Sequence, residues 1–143
     1  MTREWTTPRL RLTPVALTDA EAFVALESAL RAAATPPREA PDRATWAGYL
    51  AQFVAAWSDA PLGYWTACRD GAIVGFGGVK PKRWRGRECW NLYYRPHADQ
   101  HGQGLATELA RAAVAAIAVA ARAGLTRRPE LDDDGWAVLL LEP

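Results

Sequence analysis

The sequence has few of the features that would indicate export, a disulfide framework or a redox centre. Only two of its 143 residues are cysteines, Cys68 and Cys89, and they do not form a CxxC pair. Both lie in apolar, alternating segments, so we expect reduced thiols packed in the core of a protein in a reducing compartment. The amino terminus, residues 1–5, carries charge where a signal peptide would have an apolar run. We therefore expect a cytoplasmic protein.

The chain also lacks a strong net charge and a long hydrophobic run. A formal charge of +1 gives no global field that would recruit nucleic acid or an anionic membrane. The longest apolar stretch, residues 112–121, is too short to span a bilayer and has arginine at both ends. No membrane or nucleic-acid partner is expected.

One local cluster of positive charge lies at residues 80–87, where Lys, Arg and a single Trp alternate with Pro and Gly. A nucleic-acid surface would need further cationic partners elsewhere in the chain. We interpret the segment as a solvated hairpin loop, which could still hold an acidic acceptor or a ligand phosphate.

The sequence contains enough apolar residues to form one hydrophobic core. Half of the residues are hydrophobic and 23% are charged, which favours a globular protein over a disordered one. At this length we expect a single domain over residues 1–143.

The first third of the chain predicts one strand and two helices. Residues 9–13 alternate and precede Pro14, which favours a short edge strand. Residues 18–21 have the spacing of a capping box, and a first helix should run from there to about Ala34. Asp42 should cap a second helix. Its apolar residues follow helical spacing, and we interpret them as a core face, with a substrate-lining role as the alternative: Trp46, Tyr49, Leu50, Phe53, Val54 and Trp57.

An antiparallel meander follows. Residues 63–69 and 72–79 are rich in β-formers and are separated by Asp70-Gly71, a strong hairpin signal. Three glycines in the second strand predict a bulge or a close backbone approach. Residues 88–95 should form the third strand of this meander.

A third helix should begin at about Leu105 and be covered on more than one side, because its flanks as well as its main apolar face are alanine-rich. Beyond it, residues 125–131 and 136–141 predict a terminal hairpin turning at Asp134-Gly135. The aspartates 132–134 lack other oxygen ligands at defined spacing, so no metal is expected.

Between the third strand and the third helix lies a glycine-containing turn, His101-Gly102-Gln103-Gly104-Leu105-Ala106. A turn that launches a helix leaves several backbone N–H groups unpaired and directs the positive end of the helix dipole outward. The turn is therefore suited to a phosphate or pyrophosphate. No Gly-Lys-Ser/Thr follows the glycines, so a P-loop is excluded.

The order of elements, together with residues 7–12, 70–78, 93–95 and 102–108, resembles the GNAT family of N-acetyltransferases. It is most similar to the branch that acetylates the amino termini of ribosomal proteins. The family motif [Gln/Arg]-x-x-Gly-x-[Gly/Ala] is met from His101 to Ala106, with histidine in its first position. The resemblance extends from Pro8 to about Ala120.

The resemblance implies an α/β (α+β) fold of the acyl-CoA N-acyltransferase type, with a mixed, mostly antiparallel central sheet and helices on both faces. It also implies acetyl-CoA as co-substrate, held at its pyrophosphate by the turn and along its pantetheine by the preceding strand. Acetyl transfer would be direct, by attack of a primary amine on the thioester, with Glu88 as base. The amine would belong to a protein amino terminus or to a small molecule. The cofactor-binding residues would be Tyr94, Arg95, His101, Gly102, Gln103, Gly104, Leu105 and Ala106.

Two departures from the family pattern qualify this expectation. Pro96 has no backbone N–H to offer the pantetheine. The segment after the third helix is as short as if one strand and one helix had been lost. A binding or interaction module without turnover is therefore the alternative function. Sheet edges left open by such a loss would favour a homodimer.

Overall fold

A computed structural model describes residues 3–121, 125–127 and 139–141. Its main sheet has five strands in the order β1-β2-β3-β4-β5, and every pairing in it is antiparallel. The elements in chain order are β1 (Trp5–Thr6), β2 (Arg11–Pro14), α1 (Ala20–Ala32), α2 (Arg43–Asp59), β3 (Tyr64–Arg69), β4 (Ala72–Trp84), β5 (Arg87–Pro96), α3 (Leu105–Ala121), β6 (Leu125–Arg127) and β7 (Leu139–Leu141).

The predicted fold class is confirmed. Helices α1 and α2 cover one face of the sheet and α3 covers the other, with strands β3, β4 and β5 forming the predicted meander. Phe76 of β4 illustrates the first interface, because its ring packs edge-to-face against Phe23 of α1 at 5.4 Å. The opposite face receives α3, whose Leu105, Leu109 and Ala113 are fully buried.

The strand predicted at the sheet edge is not an edge strand. β2 lies between β1 and β3, with Leu12 opposite both Trp5 and Ala67. The edge is formed by β1, whose two residues are too few to give a periodic signal in the sequence. Pro14 is tolerated because it stands at the last pair of the ladder, opposite Trp65.

The amino terminus of α1 differs from the predicted capping box at residues 18–21. A short 3-10 helix, Leu17–Asp19, precedes α1, and the Asp19 carboxylate accepts the Ala16 N–H at 2.9 Å. The same carboxylate accepts the Thr66 hydroxyl at 2.7 Å, which ties this helix start to β3. Asp19 thus holds this helix start through one local bond and one contact with the sheet.

The second helix agrees with its prediction. The Asp42 carboxylate accepts the Thr45 N–H at 2.7 Å, as an N-cap should, and this bond lowers the pKa of Asp42. On the apolar stripe, Trp46, Leu50 and Trp57 are buried, whereas Tyr49 is exposed. The stripe is thus chiefly core.

Two tight turns join the meander. Asp70-Gly71 adopts positive φ values of 51° and 80°, as the hairpin signal predicted. Arg85-Gly86 does the same at 47° and 77°. The interpretation of residues 80–87 as a loop is therefore wrong, since Lys80–Trp84 continues β4 and only the Arg85-Gly86 pair forms the turn.

The glycines of β4 mark a bulge and a close approach, as predicted. Gly75 pairs with Ala67 and Ile73 pairs with Cys68, which leaves Val74 as the extra residue. A Cβ atom on Gly77 would come within 2.6 Å of the Tyr93 carbonyl oxygen. Glycine therefore lets β5 lie close against β4.

The third helix buries the predicted face, but the prediction of cover on more than one side is wrong, because Val114 and Val119 are exposed.

The terminal hairpin is confirmed where it is described: β6 pairs antiparallel with β7, and β7 lies beside β5. Its predicted turn, Asp134-Gly135, and the aspartates 132–134 lie outside the described residues. None of the described helices is both long and apolar enough to cross a bilayer.

Candidate active site

The turn between β5 and α3 is built around two glycines with left-handed backbone. Gly102 has φ of +73° and Gly104 has φ of +77°, values that side chains rarely adopt. A 3-10 helix, Ala98–Gln100, precedes them, and the first α-helical bond of α3 runs from the Glu108 N–H to the Gly104 carbonyl. The N–H groups of the first helical turn have no partner within the helix. The turn thus has the geometry of an anion site.

The predicted cofactor-binding residues of the turn lie together at the start of α3. His101, Gly102, Gln103, Gly104 and Ala106 are exposed. Leu105 differs, since its side chain is 1% exposed and belongs to the core. Leu105 can therefore offer a ligand only its backbone N–H.

Two arginines support the turn, and sequence reasoning missed both roles. Arg69, at the end of β3, donates to the Gln103 side-chain oxygen at 2.6 Å. Arg9 donates from one guanidinium nitrogen to the Gln103 backbone carbonyl at 2.7 Å. Neither could have been found from local spacing, because the contacts span 34 and 94 positions of the chain.

Glu108 joins Arg9 to the first turn of α3. Its carboxylate accepts the Arg9 Nε–H and the Arg9 backbone N–H, each at 2.7 Å, and also the Thr7 hydroxyl. Burial alone would raise the pKa of Glu108, but these hydrogen bonds and the Arg9 charge lower it overall. Glu108 is therefore held as a carboxylate.

Tyr94 and Arg95 occupy neighbouring positions of β5 and so point to opposite faces of the sheet. Tyr94 lies on the α3 face, and burial together with the Glu108 charge raises its pKa. Among the described residues its buried hydroxyl has no hydrogen-bond partner. Arg95 lies on the α1–α2 face, with its Nε 3.6 Å from the Glu27 carboxylate.

Glu27 of α1 is a second feature that the sequence did not reveal. The residue is 3% exposed, yet it carries a carboxylate. The Tyr93 hydroxyl donates to Glu27 Oε1 at 2.9 Å, and Arg95 supplies a nearby positive charge. Burial, followed by the Glu27 charge, raises the pKa of Tyr93, so the phenol stays protonated.

A partly exposed aromatic and polar surface surrounds this pair on β3, β4 and β5. Tyr93 stacks on Tyr64 with ring centroids 4.7 Å apart, and the Asn91 side chain donates to the Tyr64 hydroxyl at 3.0 Å. The Lys80 ammonium lies 5.5 Å from the centre of the Tyr64 ring. We call the five residues Glu27, Tyr64, Lys80, Asn91 and Tyr93 the α1-face cluster.

Glu88, the predicted base, lies at the far end of β5 from the turn. Its separation from Arg95 is about 23 Å along the strand, at roughly 3.3 Å per residue. The side chain is 53% exposed, and its carboxylate lies 3.6 Å from the Arg83 guanidinium. The structure does not bring Glu88 together with the turn or with the α1-face cluster.

The outer backbone edge of β5 is the last element of the site. Within the described residues β5 forms a ladder with β4 alone, and β7 lies beside it without joining the same sheet. Pro96, which has no N–H, closes β5 opposite Gly75. Pro96 therefore leaves β5 with one backbone N–H fewer at the end that leads into the turn.

Comparisons with known proteins agree with this architecture. The acetyltransferase (GNAT) domain family matches residues 9–131. No curated protein sequence matches the chain. Among solved structures, a Bordetella pertussis protein assigned to the GnaT acetyltransferase family superposes with a TM-score of 0.67 at 19% identity, covering 97% of this chain and 98% of that one.

Two further structures are similar. An acetyltransferase from Agrobacterium tumefaciens has a TM-score of 0.64 at 20% identity, with 98% of this chain and 94% of that chain covered. An acetyltransferase from Thermus thermophilus has a TM-score of 0.58 at 16% identity, with 94% and 96% covered. These likenesses establish the fold, and the domain match, which spans most of the sequence, shows that the chain belongs to the GNAT acetyltransferase family.

Proposed function

We propose that this protein is an acetyl-CoA-dependent N-acetyltransferase that transfers an acetyl group to a primary amine, either a protein amino terminus or a small molecule. The observation that carries the proposal is the turn at the start of α3. It combines two left-handed glycines, first-turn N–H groups that have no partner within the helix, and a position between β5 and α3.

The residues present fit the donor. The pyrophosphate would lie against the turn from His101 to Ala106, where the space beside Gly102 is open. The pantetheine would follow the outer edge of β5 near Tyr94 and Arg95. Acetyl-CoA supplies an activated acyl group, and the protein positions it and an amine for direct attack.

The proton of the attacking amine needs an acceptor. The sequence resemblance assigns this role to Glu88, whereas the contacts of the α1-face cluster support Glu27. In the second arrangement the amine proton passes to the Tyr93 oxygen while the Tyr93 proton passes to the Glu27 carboxylate, so Tyr93 ends neutral and Glu27 ends protonated. We favour Glu27 because it contacts Tyr93 and Arg95, in the half of β5 that leads into the turn, whereas Glu88 lies at the hairpin end of the strand.

The alternative is a CoA-binding or protein-interaction module without turnover. Pro96 favours it, because proline removes one N–H from the edge that would hold the pantetheine.

Four further points remain predictions: a homodimer, membership of the ribosomal-protein branch, a cytoplasmic location and shortening after α3. Sedimentation of the purified protein at high concentration tests the dimer, and a monomer there would contradict it.

The experiment that tests the proposed function measures thiol release from acetyl-CoA with a panel of peptides and small amines, alongside calorimetric binding of acetyl-CoA. Binding together with amine-dependent thiol release supports the enzyme. Binding without release across the panel supports the module. An absence of binding at millimolar acetyl-CoA contradicts both CoA-dependent functions.

A further inference from the structure

Arg9 makes an unusual set of contacts for a surface arginine. Its side chain is 38% exposed, yet it bonds two parts of the candidate site at once, the Gln103 carbonyl and the Glu108 carboxylate, each at 2.7 Å. Its backbone N–H bonds the same carboxylate. A planar guanidinium with donors in a fixed fork suits this double contact better than a lysine ammonium does.

The bond to Gln103 determines which way the turn faces. In a trans peptide the C=O and the following N–H point in opposite directions, and the peptide between Gln103 and Gly104 is trans. Because Arg9 holds the Gln103 oxygen on its own side, the Gly104 N–H points to the side away from Arg9. An anion-binding turn needs its N–H groups, and not its carbonyl oxygens, directed at the ligand.

The bond to Glu108 solves an electrostatic problem at the same place. A carboxylate in the first turn of α3 interacts favourably with the positive end of the helix dipole. The same negative charge would repel a pyrophosphate bound at that terminus. Arg9 places a compensating positive charge on this carboxylate. The two contacts of Arg9 therefore both favour an anion at the turn: one orients the Gly104 N–H, and the other compensates the Glu108 charge.

We propose that Arg9 is a positioning residue for the pyrophosphate site: by holding the Gln103 carbonyl it orients the Gly104 N–H toward the ligand. This inference rests on the proposed function. It assigns no direct contact with acetyl-CoA to Arg9, because the guanidinium lies on the carbonyl side of the turn.

The test compares two acetyl donors in the Arg9→Met variant. Acetyl-CoA carries the pyrophosphate, whereas acetyl-pantetheine ends before it. We expect KM for acetyl-CoA, and Kd by calorimetry, to rise about tenfold or more, as for loss of a hydrogen bond to a charged group. We expect kcat, and all parameters for acetyl-pantetheine, to stay within about twofold of wild type.

Matched variants separate this role from others. Arg11→Met removes an arginine two residues away that pairs with Glu4 at 3.5 Å, and it should leave KM unchanged. Arg9→Lys keeps the charge but cannot span both partners, so KM should rise as well. The double variant Arg9→Met/Glu108→Met removes the charge imbalance but not the misorientation, and it should remain impaired.

Three results would overturn the inference while leaving the proposed function intact: equal losses with both donors, an unchanged KM in Arg9→Met, or recovery in the double variant. The first would indicate general destabilisation and the third a purely electrostatic effect. If wild-type protein binds no acetyl-CoA, the proposed function fails and this inference fails with it.

Discussion

The Tyr93 hydroxyl donates a 2.9 Å hydrogen bond to Oε1 of Glu27, a carboxylate that is 3% exposed. The pair links β5, the strand that precedes the turn, to α1, which covers the face of the sheet opposite to α3. A buried carboxylate is costly unless it is paired and hydrogen-bonded. Here the Tyr93 hydroxyl supplies the hydrogen bond and Arg95, with its Nε 3.6 Å from the carboxylate, supplies the opposite charge.

Replacing Glu27 with glutamine should lower kcat by about 100-fold or more, the lower end of what a general base contributes. Glutamine keeps the size and can still accept from Tyr93, so the fold should be preserved. Steady-state acetylation rates measure the effect.

Glu88→Gln is the matched control, and we expect its kcat to stay within about threefold of wild type because Glu88 is half exposed and distant from the turn. A large loss in Glu88→Gln with normal turnover in Glu27→Gln would instead assign the base to Glu88, as the family resemblance implies. Tyr93→Phe should resemble Glu27→Gln if the phenol relays the proton.

Protonation of Glu108 in acid should lower the stability of the protein. Its pKa is lowered in the folded state, so the carboxylate contributes stability above its ordinary pKa of 4.5 that is lost as the pH falls below that value. Glu108→Gln should reduce the free energy of unfolding by about 1.5–3 kcal/mol at pH 7, as for a bond to a charged group.

Urea unfolding of wild type and Glu108→Gln at pH 7 and at pH 3 measures this difference. The gap between the two proteins should narrow at the lower pH, because protonation removes the same charge from the wild type. A gap that stays constant would show that the Glu108 charge does not contribute.

Gly77→Ala should destabilise the sheet by about 1–3 kcal/mol, the cost of overpacking. The added Cβ would lie 2.6 Å from the Tyr93 carbonyl and 3.1 Å from the Tyr94 Cα, both backbone atoms that cannot move aside alone. Thermal unfolding measures the loss.

Gly48→Ala is the control for this prediction. Gly48 lies inside α2 with open space where the Cβ would be, so alanine there should raise stability by about 0.5–1 kcal/mol. Equal effects of the two substitutions would contradict the close approach of β5 to β4.

Local signals in the sequence were sufficient for much of the fold. Asp42 caps α2, Asp70-Gly71 forms a hairpin, and the glycines of β4 accompany a bulge, because each feature depends on residues close together in the chain. The sequence predicts a loop rather than a strand at Lys80–Trp84 because Pro and charged residues are disfavoured in strands. Pairing with β5 outweighs that preference here.

The turn could likewise be placed from its glycines, whereas its supports could not. Arg9, Arg69 and Glu27 act through partners that are 94, 34 and 66 positions away, and no periodicity or spacing encodes such contacts. The sequence therefore predicted the position of the glycine turn, but not the side chains that bond to the turn or to Tyr93.

The central claim is that the turn at the start of α3 binds the pyrophosphate of acetyl-CoA. Calorimetric titration of Gly104→Val with acetyl-CoA tests it most directly, since valine cannot readily adopt a φ of +77° and would distort the turn. Gly86→Val imposes the same strain, at the same φ, in the remote β4–β5 hairpin. We predict that Gly104→Val loses measurable binding while Gly86→Val binds as wild type does, and unchanged affinity in Gly104→Val would contradict the claim.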